Sequence, residues 1–129
     1  MSKLNYIWPF FIVSNVKDSV DFYVNKLGFK AEYTGPTGDP FFAIVGRDNA
    51  YLMLKAIAND IKPLPNNTRH EWGRWDAFVG VADPDALFEE YNSGGVAFRQ
   101  LVQNDGDGLR GFEIADVDGY VLFFGRTMI

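Results

Sequence analysis

The chain has 129 residues, 47 % hydrophobic and 22 % charged, with a formal net charge of −5 and no cysteine. That length and composition fit one soluble domain with its own core. The missing cysteines exclude disulfides and thiolate metal sites, and no apolar run approaches the roughly 20 residues of a membrane span. An acidic chain with scattered Lys and Arg lacks the basic surface that nucleic acid requires. Met1–Tyr6 has no long apolar signal segment, so the cytoplasm is the expected location.

In chain order, residues 7–13 read as a strand, with Pro9 near its start where a missing N–H costs least. Val16, Val20, Tyr23, Val24 and Leu27 recur at helical spacing, so a helix is predicted from Val16 to Leu27, capped by Asn15 and stopped by Gly28. Three strands follow, at 30–34, 41–45 and 50–55, separated by turn-rich Gly35–Pro40 and Arg47–Asn49. Residues 58–74, broken by Pro63, Pro65, Asn66 and Asn67, read as a connection. A strand at 75–81 leads to a second helix with Asp83 as N-cap, Pro84 at its first position, Leu87, Phe88 and Tyr91 as its buried stripe, and Gly94-Gly95 as its end. Strands at 98–103, 110–115 and 120–124 complete the chain.

The chain therefore states one unit twice. Val13 matches Val81 at an offset of 68 residues, and Asn49 matches Gly119 at an offset of 70. The predicted fold class is α+β: one domain spanning 1–129, built of βαβββ modules at 1–57 and 75–129 joined by the connection 58–74. Each module would carry its helix on the outer face of a small curved sheet, and the inner faces would enclose a cleft.

Two segments carry a family resemblance. One is Val13-Ser14-Asn15-Val16-Lys17-Asp18-Ser19-Val20-Asp21-Phe22-Tyr23 with Leu27-Gly28-Phe29; the other is Asp116-Val117-Asp118-Gly119-Tyr120-Val121-Leu122-Phe123-Phe124. In these the chain resembles the vicinal oxygen chelate superfamily, which includes glyoxalase I, extradiol dioxygenases and bleomycin-resistance proteins. The resemblance implies a cleft, often shared between two subunits of a dimer, and usually a metal held by the first and last strands of each module. Counting from the motifs puts those four positions at Trp8, Met53, Asp76 and Phe123. Only Asp76 offers a hard donor, whereas such a site needs three or more N or O ligands. No metal or other cofactor is therefore expected. The lone His70 falls in the connection, away from all four positions.

Trp8, Met53 and Phe123 instead offer an apolar wall and Asp76 a negative charge, with Phe10, Tyr51, Lys55, Phe78 and Val121 as inward neighbours by strand alternation. Aromatic faces beside a carboxylate suit a flat or cationic organic molecule. Asp76 could equally be paired with Arg74, Arg110 or Lys55, and the aromatics could simply fill a core. The set resembles the metal-free, drug-sequestering branch of the superfamily, the bleomycin-resistance proteins. The expected ligand-binding residues are Trp8, Phe10, Tyr51, Met53, Asp76, Phe78 and Phe123, with His70, Trp72 and Trp75 at the rim. The expected activity is metal-independent binding and sequestration of a hydrophobic aromatic small molecule, neutral or cationic, of the antibiotic-resistance type, with no catalytic residue, by a homodimer. The alternative is a metal-dependent lyase, dioxygenase or transferase of the same superfamily.

Overall fold

The structure, a computed structural model, describes residues 1–128. The first module runs β1 (Phe10–Ile12), α1 (Val16–Leu27), β2 (Lys30–Gly35), β3 (Phe42–Arg47) and β4 (Ala50–Lys55). The second repeats the order with β5 (Ala77–Gly80), α2 (Pro84–Ser93), β6 (Gln100–Asn104), β7 (Leu109–Ala115) and β8 (Val121–Thr127). Each module forms a four-stranded mixed sheet, ordered β1-β4-β3-β2 and β5-β8-β7-β6. The predicted α+β fold of two βαβββ modules is what the chain adopts. Between the modules, the connection carries a single short 3-10 turn at Asn66–Thr68.

Local chemistry explains the helix boundaries. The Asn15 side chain accepts a hydrogen bond from the Asp18 N–H at 3.0 Å, and Asp83 does the same for Ala86 at 3.0 Å. Each cap satisfies a donor that the first turn cannot pair internally. Gly28 ends α1 at φ 73°, the left-handed conformation that a Cβ disfavours.

Both first strands are shorter than expected. Pairing nonetheless continues beyond β1, with the Met53 N–H donating to the Pro9 carbonyl and the Val13 N–H to that of Lys55, both at 2.9 Å. Asp76 and Val81 extend β5 in the same way, donating to the carbonyls of Val121 and Gly125 at 2.8 Å. The other strands lie within one to three residues of their predicted limits.

Each helix packs on one face of its own sheet, and the helix-facing residues of both modules merge into one core. Leu52, Leu54, Ala43 and Val45 join Phe112, Ile114, Leu122 and Phe124, together with Tyr23 and Leu27 of α1 and Tyr91 of α2. The opposite face of each sheet carries no helix and forms its open face. Strand alternation assigns the remaining residues to it.

Candidate ligand-binding site

Register places one row of side chains across the middle of each open face. In the first sheet, Phe10, Met53, Ile44 and Tyr33 lie side by side on β1, β4, β3 and β2. The corresponding row of the second sheet is Phe78, Phe123, Glu113 and Gln100 on β5, β8, β7 and β6. Cross-strand neighbours on one face are the packing unit of a sheet. The duplication thus sets the rows in correspondence. The first is apolar but for a tyrosine hydroxyl, whereas the second turns polar halfway across.

Aromatic rings build a surface on each face. On the first, Tyr6 stacks on Trp8 at 4.7 Å between centroids, and Trp8 stacks on Tyr51 at 4.9 Å. The Tyr51 ring lies where a Cβ on Gly46 would stand. On the second face, Phe123 stacks with Trp75 at 5.3 Å and with Phe78 at 5.5 Å. Glycine again makes room: a Cβ on Gly111 would meet Phe123 Cζ at 2.7 Å, and one on Gly125 would meet the same ring. Phe123 is fully buried, while Phe78 remains 41 % exposed. The outer wall is therefore Phe78 with Trp75, and Phe123 is its backing.

Asp76 is engaged by the main chain. One carboxylate oxygen accepts from the Asn66 N–H and the other from the Val121 N–H, both at 2.8 Å. This fastens the connection to the start of β8. The candidate partners named from the sequence are elsewhere: Arg110 pairs with Asp85 at 2.5 Å, and Arg74 with Glu113 at 3.3 Å. Lys55 lies on the first sheet's open face, in register with Phe42 and Ile12. In the connection, the His70 ring nitrogen Nδ1 accepts from the Trp72 N–H at 3.0 Å, and the two rings meet edge to face at 5.4 Å. Trp72 is 83 % exposed. No ring pairing among the described residues links that pair to Trp75.

Sequence reasoning missed Tyr6, Glu113 and the role of two arginines. Glu113 is only 1 % exposed, and it receives Arg74 at 3.3 Å on one oxygen and Arg99 on the other. Each guanidinium is about one-third exposed. A buried carboxylate is tolerable when its charge is met in this way. The signal was available, because alternation in Phe112-Glu113-Ile114 sends Glu113 to the open face once Phe112 and Ile114 face the helix.

The metal positions implied by the superfamily do not fit a metal here. Trp8 and Phe123 have no donor atom to offer, Met53 offers a soft thioether, and both Asp76 oxygens already accept amide hydrogens. Among the described residues, no three His, Cys, Asp or Glu side chains gather into a group that could hold a metal ion.

Two βαβββ modules, each a four-stranded mixed sheet with aromatic rings on its open face, define the architectural class of the chain. The sequence matches the Glyoxalase/Bleomycin resistance protein/Dioxygenase superfamily over residues 3–124, and the chain belongs to that family. A bleomycin-binding protein from bleomycin-producing Streptomyces verticillus, solved with copper(II)-bleomycin, is similar at 26 % identity and a TM-score of 0.71, over 98 % of each chain. TioX from Micromonospora sp. ML1 shares the fold at 19 % identity and a TM-score of 0.71, over 95 % of this chain and 99 % of its own. TnmS3, an antibiotic binding protein from Streptomyces sp. CB03234, does so at 19 % identity and a TM-score of 0.71, over 98 % of this chain and 99 % of its own. No curated protein matches the sequence. Among the described residues, no helix is long and apolar enough to cross a membrane.

Proposed function

We propose that this protein binds and sequesters a hydrophobic aromatic small molecule of the antibiotic type, without a metal and without transforming it. The observation that carries this reading is the pair of aromatic walls, Tyr6–Trp8–Tyr51 on one open face and Trp75–Phe78 backed by Phe123 on the other. Flat rings exposed on a rigid sheet suit a planar ligand, because stacking adds to the burial of apolar area and little side-chain freedom remains to be lost. Phe10 and Met53 extend the first wall, while Asp76 holds the start of the second in place. The His70–Trp72 pair is assigned to the rim. Two of the three similar structures are described as binding an antibiotic or bleomycin.

The same faces support a homodimer. Phe10, Tyr33 and Phe78 are 51 %, 55 % and 41 % exposed, an apolar area that a second copy would cover by setting its first sheet against the other's second. Twofold pairing is the commonest arrangement for small oligomers. Sedimentation at micromolar concentration should give a dimer, and a strictly monomeric chain would overturn that part of the proposal.

Binding is tested by intrinsic fluorescence in a Trp72→Phe background, with EDTA present and a panel that includes metal-free bleomycin and neutral and cationic polycyclic antibiotics. Saturable change is expected from at least one compound, weakened about tenfold or more in Phe78→Ala, in line with loss of a well-packed aromatic contact. A panel without response, or binding that depends on stoichiometric Zn, Fe, Mn or Ni in the purified protein, would overturn the reading.

A further inference from the structure

The polar half of the second open face has no counterpart in the first module. Ile44, in the row Phe10–Met53–Ile44–Tyr33, corresponds to Glu113, in the row Phe78–Phe123–Glu113–Gln100. Around Glu113, donors gather. Arg74 and Arg99 hold one oxygen each, Arg99 Nη1 also reaches the Arg74 carbonyl at 3.3 Å, and Arg74 lies 3.7 Å from Asp105. Among the described residues, each guanidinium donates from a single terminal nitrogen. A guanidinium has five N–H donors, so most of each fork is left to solvent or a ligand. The Gln100 amide nitrogen, opposite Glu113 in register, is buried and has no hydrogen-bond partner. An unpaired buried donor is costly unless something accepts from it.

We infer that this end of the face is an acceptor-recognition subsite, and that the ligand is an aromatic molecule bearing a carboxylate, phenolate or quinone-type oxygen. The ring lies on Phe78 and Trp75, and its oxygen substituent points across the sheet toward Arg74 and Arg99, with the Gln100 amide beyond them. Adjacent strands are about 4.8 Å apart, so the two strand steps from Phe78 on β5 to Glu113 on β7, where both arginines meet, match the length of a bicyclic ring and its substituent. Two arginines balance Glu113 and Asp105 in charge. Preference for the oxygen therefore comes from aimed N–H donors rather than from a net positive field. Glu113 acts as the positioning residue that holds both forks. Asp76 is engaged by two main-chain amides and is not among the groups assigned to the ligand.

This inference rests on the aromatic-binding reading above, and the experiment separates the two. Isothermal titration calorimetry compares 2-naphthoate, 2-naphthylmethanol and 2-naphthylmethylammonium on the full chain. Naphthoate should bind about tenfold more tightly than the alcohol, the scale of one charge-assisted hydrogen bond, and the ammonium more weakly than either. The double variant Arg99→Gln/Glu113→Gln removes a donor fork without stranding a buried charge. It should abolish the naphthoate preference while leaving alcohol binding within about twofold. Arg74→Gln, which leaves the buried Glu113 paired with Arg99, serves as a second variant should the double variant fail to fold, and should reduce the preference several-fold. Equal or tighter binding of the ammonium, or a naphthoate preference that survives these variants, overturns the subsite and leaves ring binding standing. Should none of the three probes bind, the aromatic-ligand reading and the subsite fall together.

Discussion

At the end of β7, Asp116 is 7 % exposed and holds a turn together: one oxygen accepts from the Asp118 and Tyr120 N–H groups at 2.9 and 3.0 Å. The other accepts from the buried Tyr23 hydroxyl at 2.7 Å. Burial dominates its acidity. Loss of solvent raises the Asp116 pKa to about 6, against the opposing pull of those hydrogen bonds. Burial and the Asp116 charge together push the Tyr23 phenol well above its usual range. The sign for stability follows. An unfolded Asp titrates near 3.9, so between about pH 4 and 6 the folded state holds a proton that the unfolded state has released. The contribution is complete at low pH and lost as pH rises through 6. In urea unfolding, the wild type should gain about 2 kcal/mol relative to Asp116→Asn on going from pH 7.5 to pH 4.5. A flat difference between the two proteins would show that Asp116 titrates normally. Tyr23→Phe should cost about 1–2 kcal/mol at pH 7.5 by removing a buried donor from a charged acceptor.

Strand and helix elements are set by signals of different range. Both helices are short and depend on their caps, so Asp83→Ala should destabilise the protein by about 1 kcal/mol in thermal or chemical unfolding. β7 and β8 depend on close approach. A Cβ at Gly111 would run into the Phe124 carbonyl, the Phe123 ring and the Gly125 Cα at once. Gly111→Ala should therefore cost on the order of 3 kcal/mol, the upper range for overpacking, and should expose Trp75 by lifting the ring beneath it. An unchanged melting temperature and an unshifted Trp emission would count against the glycine's role in seating Phe123. Element order and both N-caps were legible in the sequence, because they depend on neighbours within a few residues. Alternation also carried Glu113 to the open face, but its ion pair with Arg74 was not legible, because the two residues are 39 apart in sequence and meet only in the folded sheet.

The whole molecule is fastened across its duplication. Tyr23 and Tyr91, separated by the same 68 residues as Val13 and Val81, each send a buried hydroxyl into the other module: Tyr23 to Asp116, and Tyr91 to the Leu27 carbonyl at 2.7 Å. Phe11 stacks on Tyr120 at 4.4 Å, and the Tyr120 hydroxyl donates to the Ile12 carbonyl at 2.6 Å. The bridge from Arg47 to Glu90 at 2.8 Å is half-exposed and adds little by comparison. With a continuous core and these ties, the modules should unfold together. Calorimetry should give equal calorimetric and van't Hoff enthalpies in a single transition, whereas two resolved transitions would show that the halves fold independently.

By itself the sequence determined the elements, the duplication and the family, because hydrophobic period, caps and turn residues act locally and recur in both halves. It also showed that the four positions at which the resemblance implies metal ligands hold almost no hard donors, since that depends only on residue identity at counted positions. Tertiary structure alone decided what those residues do. Asp76 is drawn off by two main-chain amides, Phe123 is sealed beneath Trp75 and Phe78, and a buried glutamate with two arginines occupies the face instead. Hydrogen-bond partners and burial are set by which distant segments meet, and in this chain Arg74, Arg99 and Glu113 meet only when the connection and three strands have folded onto one sheet.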